Sequence, residues 1–197
     1  MFYVGGRDSH YRPILVFDVD KIMKLKVTED ELLETMTYFF EYVMRNYLIP
    51  GQVENWVAII DVAETGLLSL IGTLKKSFTF LSDTYRSRMF VCYVCRIPGS
   101  LSILWGIVKR FLEEETVKKI NFFDEQTIPP LLDFCNPEQL EVKFGGTLPN
   151  IGDGHFWPPR EVCPNYKMPG KESHLMTREQ YTEFYYKKTM YNTKFHP

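Results

Sequence analysis

Two runs of almost unbroken apolar residues constrain this chain more than any other feature: Trp56-Val57-Ala58-Ile59-Ile60-Asp61-Val62 and Met89-Phe90-Val91-Cys92-Tyr93-Val94-Cys95. A strand with one wet face alternates apolar and polar residues. A strand that is apolar at nearly every position needs cover on both faces, as inside a parallel sheet. Between the two runs, Leu67, Leu70, Ile71, Leu74, Phe78 and Leu81 recur at three-and-four spacing, the stripe of an amphipathic helix. Strand, helix and strand in that order form a βαβ unit with a right-handed crossover.

The same alternation extends both ways. Pro13-Ile14-Leu15-Val16-Phe17-Asp18-Val19 is short, apolar and β-branched, and Gly5-Gly6-Arg7-Asp8-Ser9-His10 before it reads as a turn, so a strand entered from a loop is expected. Thr28-Glu29-Asp30-Glu31 has the capping-box pattern, in which hydroxyl and carboxylate satisfy free amides at a helix start. Leu32, Leu33, Met36, Phe39, Phe40, Val43, Met44 and Tyr47 then share one helical face, closed by Pro50-Gly51. Pro98-Gly99-Ser100 opens a third helix from about Leu101 to Glu114, and Ile120-Asn121-Phe122-Phe123 gives a fourth strand. The predicted order is β-α-β-α-β-α-β, an α/β fold with a mainly parallel sheet and flanking helices.

Beyond Trp157, Pro158-Pro159, Pro164 and Pro169-Gly170 break the periodicity. The expected organisation is one domain over residues 1–157 and a Pro- and Tyr-rich extension over 158–197. Within the extension, Thr177-Arg178-Glu179-Gln180 marks one candidate helix start.

Charge narrows the function classes. Lys and Arg total 23 against 25 Asp and Glu, leaving no basic field to draw in nucleic acid. No stretch reaches the roughly 18 apolar residues of a membrane span, and the first residues lack a signal-peptide pattern. The expected compartment is therefore the cytoplasm. Four cysteines fit it. Cys92-x-x-Cys95 invites a zinc or redox reading, but residues three apart in a strand point to opposite faces, so buried core thiols are expected and no metal.

Enzyme motifs are missing where an α/β chain would carry them. After Val62 the chain reads Ala63-Glu64-Thr65-Gly66-Leu67, and one glycine does not build a phosphate cradle. Gly99-Ser100-Leu101-Ser102 lacks the second glycine of a nucleophile elbow, so Ser100 reads as a helix cap. Asp18-x-Asp20 has no supporting ligand cluster and reads as a solvated strand end; His10, His155, His174 and His196 fall in loop or tail sequence without metal-ligand spacing. No cofactor and no catalytic residue is expected.

The third helix is unusually greasy. Leu101, Leu104, Trp105, Val108, Phe111 and Leu112 make one stripe, and Ile103 and Ile107 widen it beyond what a surface helix over a core requires. A lipid beneath and a membrane above would account for the width; so would burial between neighbouring elements.

An ordered set of segments resembles the CRAL-TRIO family of lipid-binding and lipid-transfer proteins. It runs from Gly6-Arg7-Asp8 and Arg12-Pro13 through Ile59-Ile60-Asp61, Tyr85-Arg86-Ser87-Arg88-Met89 and Pro98-Gly99 to Leu104-Trp105-Gly106-Ile107-Val108-Lys109-Arg110-Phe111-Leu112. Thr116-Val117-Lys118-Lys119-Ile120 and Leu140-Glu141-Val142-Lys143-Phe144-Gly145-Gly146 complete it, so the resemblance covers roughly residues 5 to 150. It implies a hydrophobic pocket floored by the sheet and lidded by the third helix, which in this family acts as a mobile gate. Leu101, Leu104, Trp105 and Val108 would then face the lipid.

The resemblance also implies ligand chemistry. Phosphatidylinositol-transfer members hold the headgroup phosphate near a Thr-x-x-Lys-Ile segment, which corresponds to Thr116 and Lys119; an ordinary solvated lysine is the alternative for Lys119. Their Pro-Glu-Arg-Met segment reads Arg86-Ser87-Arg88-Met89 here, with Ser87 where the inositol-contacting acid stands, and Tyr85 beside it. Arg86 and Arg88 would still suit an anionic headgroup. The helical segment that usually precedes the domain is expected to be absent, since the matching region starts a few residues after Met1.

Two functions follow as expectations. One is a carrier of a single hydrophobic molecule, a phospholipid above all, acting transiently at membrane surfaces. The other is an interaction module of the same fold without transfer, with the C-terminal extension meeting a protein partner.

Overall fold

A computed structural model describes residues 1–49, 51–62, 71–97, 105–106 and 109–151; of 71–75 and 111 the backbone alone is described. Five strands form one mixed sheet in the order β1-β2-β3-β4-β5: β1 (Phe2–Arg7), β2 (Pro13–Asp18), β3 (Trp56–Asp61), β4 (Met89–Cys95) and β5 (Ile120–Phe123). β1 pairs antiparallel with β2, and the other three pairings are parallel. Helices α1 (Val19–Lys24), α2 (Glu29–Asn46), α3 (Ile71–Thr84) and the short α4 (Glu114–Val117) stand between the strands.

The parallel core follows the sequence pattern closely. Side-chain parity places Trp56, Ala58, Cys92 and Ile120 on one face with α2. Val57, Ile59, Tyr93 and Cys95 fall on the other. Cys92 and Cys95 thus lie on opposite sides of the sheet, as their odd spacing requires. α2 begins with the predicted capping box: Thr28 accepts from the Glu31 amide, and the Glu31 carboxylate accepts from the Thr28 amide at 2.8 Å. Its apolar stripe, Met36, Phe39, Phe40 and Val43, is buried against the sheet.

The N-terminal reading is corrected. Gly5-Gly6 is not a turn but the middle of β1, whose six residues are all buried. The strand register shifts between Val4 and Arg7, so the two glycines occupy an irregularity in the ladder. Gly6 is required there because a β carbon would come within 2.3 Å of the Gln139 carbonyl oxygen. The turn itself is Asp8 to Tyr11, where the Asp8 carboxylate accepts from the Arg12 amide at 2.9 Å and from Arg12 Nε at 2.5 Å.

Three further expectations change. Val19 opens α1 instead of ending a strand. Asp18 is not a solvated strand end: it is 7% exposed and caps α1, accepting from the Lys21 amide at 3.0 Å. The third helix does not run through to Glu114; Trp105 and Gly106 are helical, Lys109–Phe111 is a 3₁₀ turn, and Glu113 caps the separate α4. Pro98 to Leu104, Ile107, Val108, residues 63–70 and residues 152–197, with the expected extension over 158–197, lie outside the described residues.

The second sheet face is closed by irregular chain instead of helices. Ile128, Leu131, Cys135, Leu140 and Phe144, from a series of short 3₁₀ turns, pack against Tyr3, Ile14, Val16, Val57 and Ile59. Polar pegs fix this cover. Glu141 accepts from the Tyr3 hydroxyl, pairs with Lys143 at 3.3 Å and accepts from the Ile151 amide at 2.7 Å. Asp61, 1% exposed at the end of β3, pairs with Arg96 at 2.6 Å and accepts from Gln126 at 3.1 Å.

Candidate ligand cavity

The helix-bearing face of the sheet does not pack shut. A cavity of about 180 Å³ lies between it and helices α1, α2 and α3. Its floor comes from the period-two rows of the strands: Phe2, Phe17, Ala58, Ile60, Cys92 and Ile120. Ile22 and Met23 of α1, Met36 and Phe40 of α2, and Phe78 and Leu81 of α3 wall it. The periodicities that predict β2 to β5, α2 and α3 therefore also predict the lining positions on those elements. Their being lining and not core was hidden, since an apolar stripe looks the same whether it meets a neighbour or a void.

Aromatic rings stiffen one wall. Phe40 stacks on Trp56 at 5.1 Å and lies 4.9 Å from Tyr85, which also meets Phe80 edge-on at 5.9 Å. Such pairs add roughly 0.5–1.5 kcal/mol each beyond their buried area. Burial raises the Tyr85 phenol above its usual range, and on the floor it pushes the Cys92 thiol up to about 12, so Cys92 stays protonated at neutral pH.

Besides Ser77 and Ser82 on α3, polar groups gather along one edge. Tyr85 and Ser87 precede β4, Thr116 and Lys119 precede β5, and all four line the cavity. Because β4 and β5 run parallel, with Cys92 beside Ile120, their N-terminal ends share one side of the sheet. Lys119 donates from Nζ to the Met89 carbonyl at 3.1 Å, and its amide donates to the Thr116 carbonyl at 3.1 Å. Ser87 takes a left-handed backbone, φ 63°, at the turn into β4. An apolar chamber thus carries a hydroxyl-rich rim with one ammonium, suited to an amphiphile with its polar end at this edge.

The other predicted residues fare differently. Arg88 is not among the lining residues: it pairs with Glu54 at 3.1 Å and donates to the Glu54 carbonyl at 3.0 Å. Arg86 pairs with Glu113 at 2.9 Å. Both guanidinium groups are engaged with acids, and neither is among the residues that line the cavity. Trp105 is half-buried, its ring 4.8 Å from that of Phe122 on the cavity face of β5. Leu101, Leu104 and Val108 lie outside the described residues. The α1 contribution was not read from the sequence, because six residues are too few to display a period.

Among the described residues, no group of three or more His, Cys, Asp and Glu side chains is placed to hold a metal. No helix among them is long and apolar enough to cross a membrane.

Comparison with known proteins finds similarity over most of the chain. A family model described as CRAL/TRIO domain matches residues 1–146. The SEC14 cytosolic factor of Yarrowia lipolytica is 27% identical over 181 residues, which cover 82% of this chain and 37% of that protein. The phosphatidylinositol/phosphatidylcholine transfer protein SFH4 of Arabidopsis thaliana is 25% identical, with 72% of this chain and 26% of that protein covered. For Clavesin-1 of Rattus norvegicus the values are 24% identity, 95% and 52%. The chain thus spans from about a quarter to about half the length of these relatives. Among solved structures, the crystal structure of Sfh5 matches with a TM-score of 0.48 at 13% identity, over 64% of this chain and 48% of that one.

Proposed function

Since the chain belongs to the CRAL/TRIO domain family, we propose that its cavity takes up a single hydrophobic lipid, most simply a phospholipid, and exchanges or presents it at membrane surfaces. The carrying observation is the cavity itself: a mainly apolar chamber between sheet and helices, with Ser87, Thr116 and Lys119 together at one edge and Ser77 and Ser82 of α3 also in its lining. The name of one relative, a phosphatidylinositol/phosphatidylcholine transfer protein, points the same way. In this reading residues 1–157 form the lipid-binding domain, and 158–197 an extension available to a protein partner.

The chemistry asked of the protein is burial and not bond making. Each methylene withdrawn from water contributes about 0.8 kcal/mol, so acyl chains supply the affinity without a catalytic group. Lys119 would meet the phosphate, with the Thr116 and Ser87 hydroxyls beside it; a charge-assisted hydrogen bond to phosphate contributes about 1.5–3 kcal/mol. A volume of about 180 Å³ is below the roughly 300–1,000 Å³ of ordinary ligand pockets. Loading a whole phospholipid therefore moves a wall outward.

Native mass spectrometry of the purified chain, followed by extraction of what it carries, tests the proposal. A stoichiometric lipid supports it and names the class. An empty protein that also takes no lipid from vesicles would turn the reading toward an interaction module of the same fold.

A further inference from the structure

The turn between α1 and α2 exposes apolar side chains beside the cavity. Leu25 is 67% exposed and Val27 43%, among the most exposed large apolar residues described. They do not stand on an arbitrary part of the surface. Met23, two residues before Leu25, and Leu32, five residues after Val27, both line the cavity. The turn itself does not line the cavity but stands between two residues that do, so apolar side chains continue from the chamber wall at Met23 to the solvent-exposed tip.

Its charges are arranged in keeping with insertion. Lys24 pairs with Asp20 at 2.6 Å, Lys21 with Asp18 at 3.6 Å and Lys76 with Glu29, while Glu31 is held in the helix cap by Thr28. Between Leu25 and Val27 stands Lys26, exposed and with no ion-pair partner among the described residues. Its backbone is left-handed, φ 51°, which turns the chain sharply at the tip. Two apolar side chains flanking one uncommitted ammonium match the boundary of a phospholipid bilayer, where the apolar groups enter the acyl layer and the lysine reaches the phosphates.

We propose that Leu25, Lys26 and Val27 form a docking tip that inserts into a phospholipid bilayer and sets the cavity rim against it. The proposal rests on the lipid-carrier reading above, and it adds the surface by which the carrier meets its membrane. Among the described residues Asp30 is the remaining acidic neighbour without an ion pair, so the tip suits zwitterionic phosphatidylcholine as well as anionic membranes, and salt affects its binding only weakly.

The test uses the full chain and a Leu25→Glu/Val27→Glu variant, with Val142→Glu as control. Val142 is 56% exposed on the 3₁₀ segment over the opposite sheet face. Co-sedimentation with phosphatidylcholine vesicles reads docking, transfer of pyrene-labelled phosphatidylcholine between vesicles reads exchange, and uptake of the same lipid from detergent micelles reads the cavity alone. The tip variant is expected to lose about tenfold or more in vesicle binding and transfer, from the removal of two inserting side chains, while loading from micelles is unchanged. The control is expected to behave as the parent chain. Unaltered vesicle binding by the tip variant overturns the proposal, and so does equal loss in the control. A parent chain that binds vesicles through the tip but loads nothing from micelles would overturn the carrier reading and leave the docking tip supported.

Discussion

The ammonium of Lys119 donates to the main-chain carbonyl of Met89 across 3.1 Å, tying the start of β5 to the start of β4 at the polar edge of the cavity. This carbonyl holds the charge in the rim while leaving its other two protons for a ligand. Lys119→Ala is expected to weaken phospholipid binding by about tenfold or more, with folding retained, as a titration with labelled phospholipid would show. Unchanged affinity would remove the phosphate assignment and leave the apolar part of the reading intact.

Phe40 holds Trp56 and Tyr85 together and is 2% exposed. Phe40→Ala should cost about 3–5 kcal/mol of stability, measurable as a lower denaturant midpoint. A loss under 1 kcal/mol would mean that the wall collapses into the cavity on truncation.

Gly6→Ala places a β carbon 2.3 Å from the Gln139 carbonyl oxygen. A main-chain atom gives way less readily than a flexible side chain. A loss of about 1–3 kcal/mol is expected, seen as a drop in melting temperature. Gly5→Ala should cost less, since its nearest contact is 3.6 Å away.

Burial pushes the thiols of Cys92, Cys95 and Cys135 up to about 12 from the ordinary 9. The unfolded chain therefore releases these protons near pH 9 while the folded chain keeps them. Their contribution is fully present below pH 9 and is lost as pH rises from 9 toward 12. Burial and the Glu141 carboxylate raise the Tyr3 phenol as well, which adds to the loss once pH passes 10. Denaturant midpoints measured across this window should fall steadily. In a Cys163→Ser background, a thiol reagent at neutral pH should label the folded chain far more slowly than the urea-unfolded one.

Local rules were legible in the sequence because the partners that satisfy them are close along the chain. The Thr28–Glu31 cap joins residues three apart, and the α2 stripe repeats within a single helix. The apolar runs of β3 and β4 signalled cover on both faces without naming the cover, which proved to be helices on one side and 3₁₀ turns on the other. Thr116 and Lys119 were singled out by resemblance, and parallel pairing of β4 with β5 brings them beside Ser87 and Tyr85.

The sequence by itself determined the alternating α/β order, the interior strands and the cap that starts α2, since each depends on periodicity or on bonds within one turn. Tertiary structure alone decided the rest. Gly5-Gly6 looks like a turn until Phe2 pairs with Phe17 and Gln139 closes over Gly6, 133 residues away. The pairing of Arg88 with Glu54, 34 residues apart, likewise exists only in the fold. Whether an apolar stripe becomes core or cavity wall depends on the distance between packed elements, and hydrophobicity along a chain carries no measure of that distance.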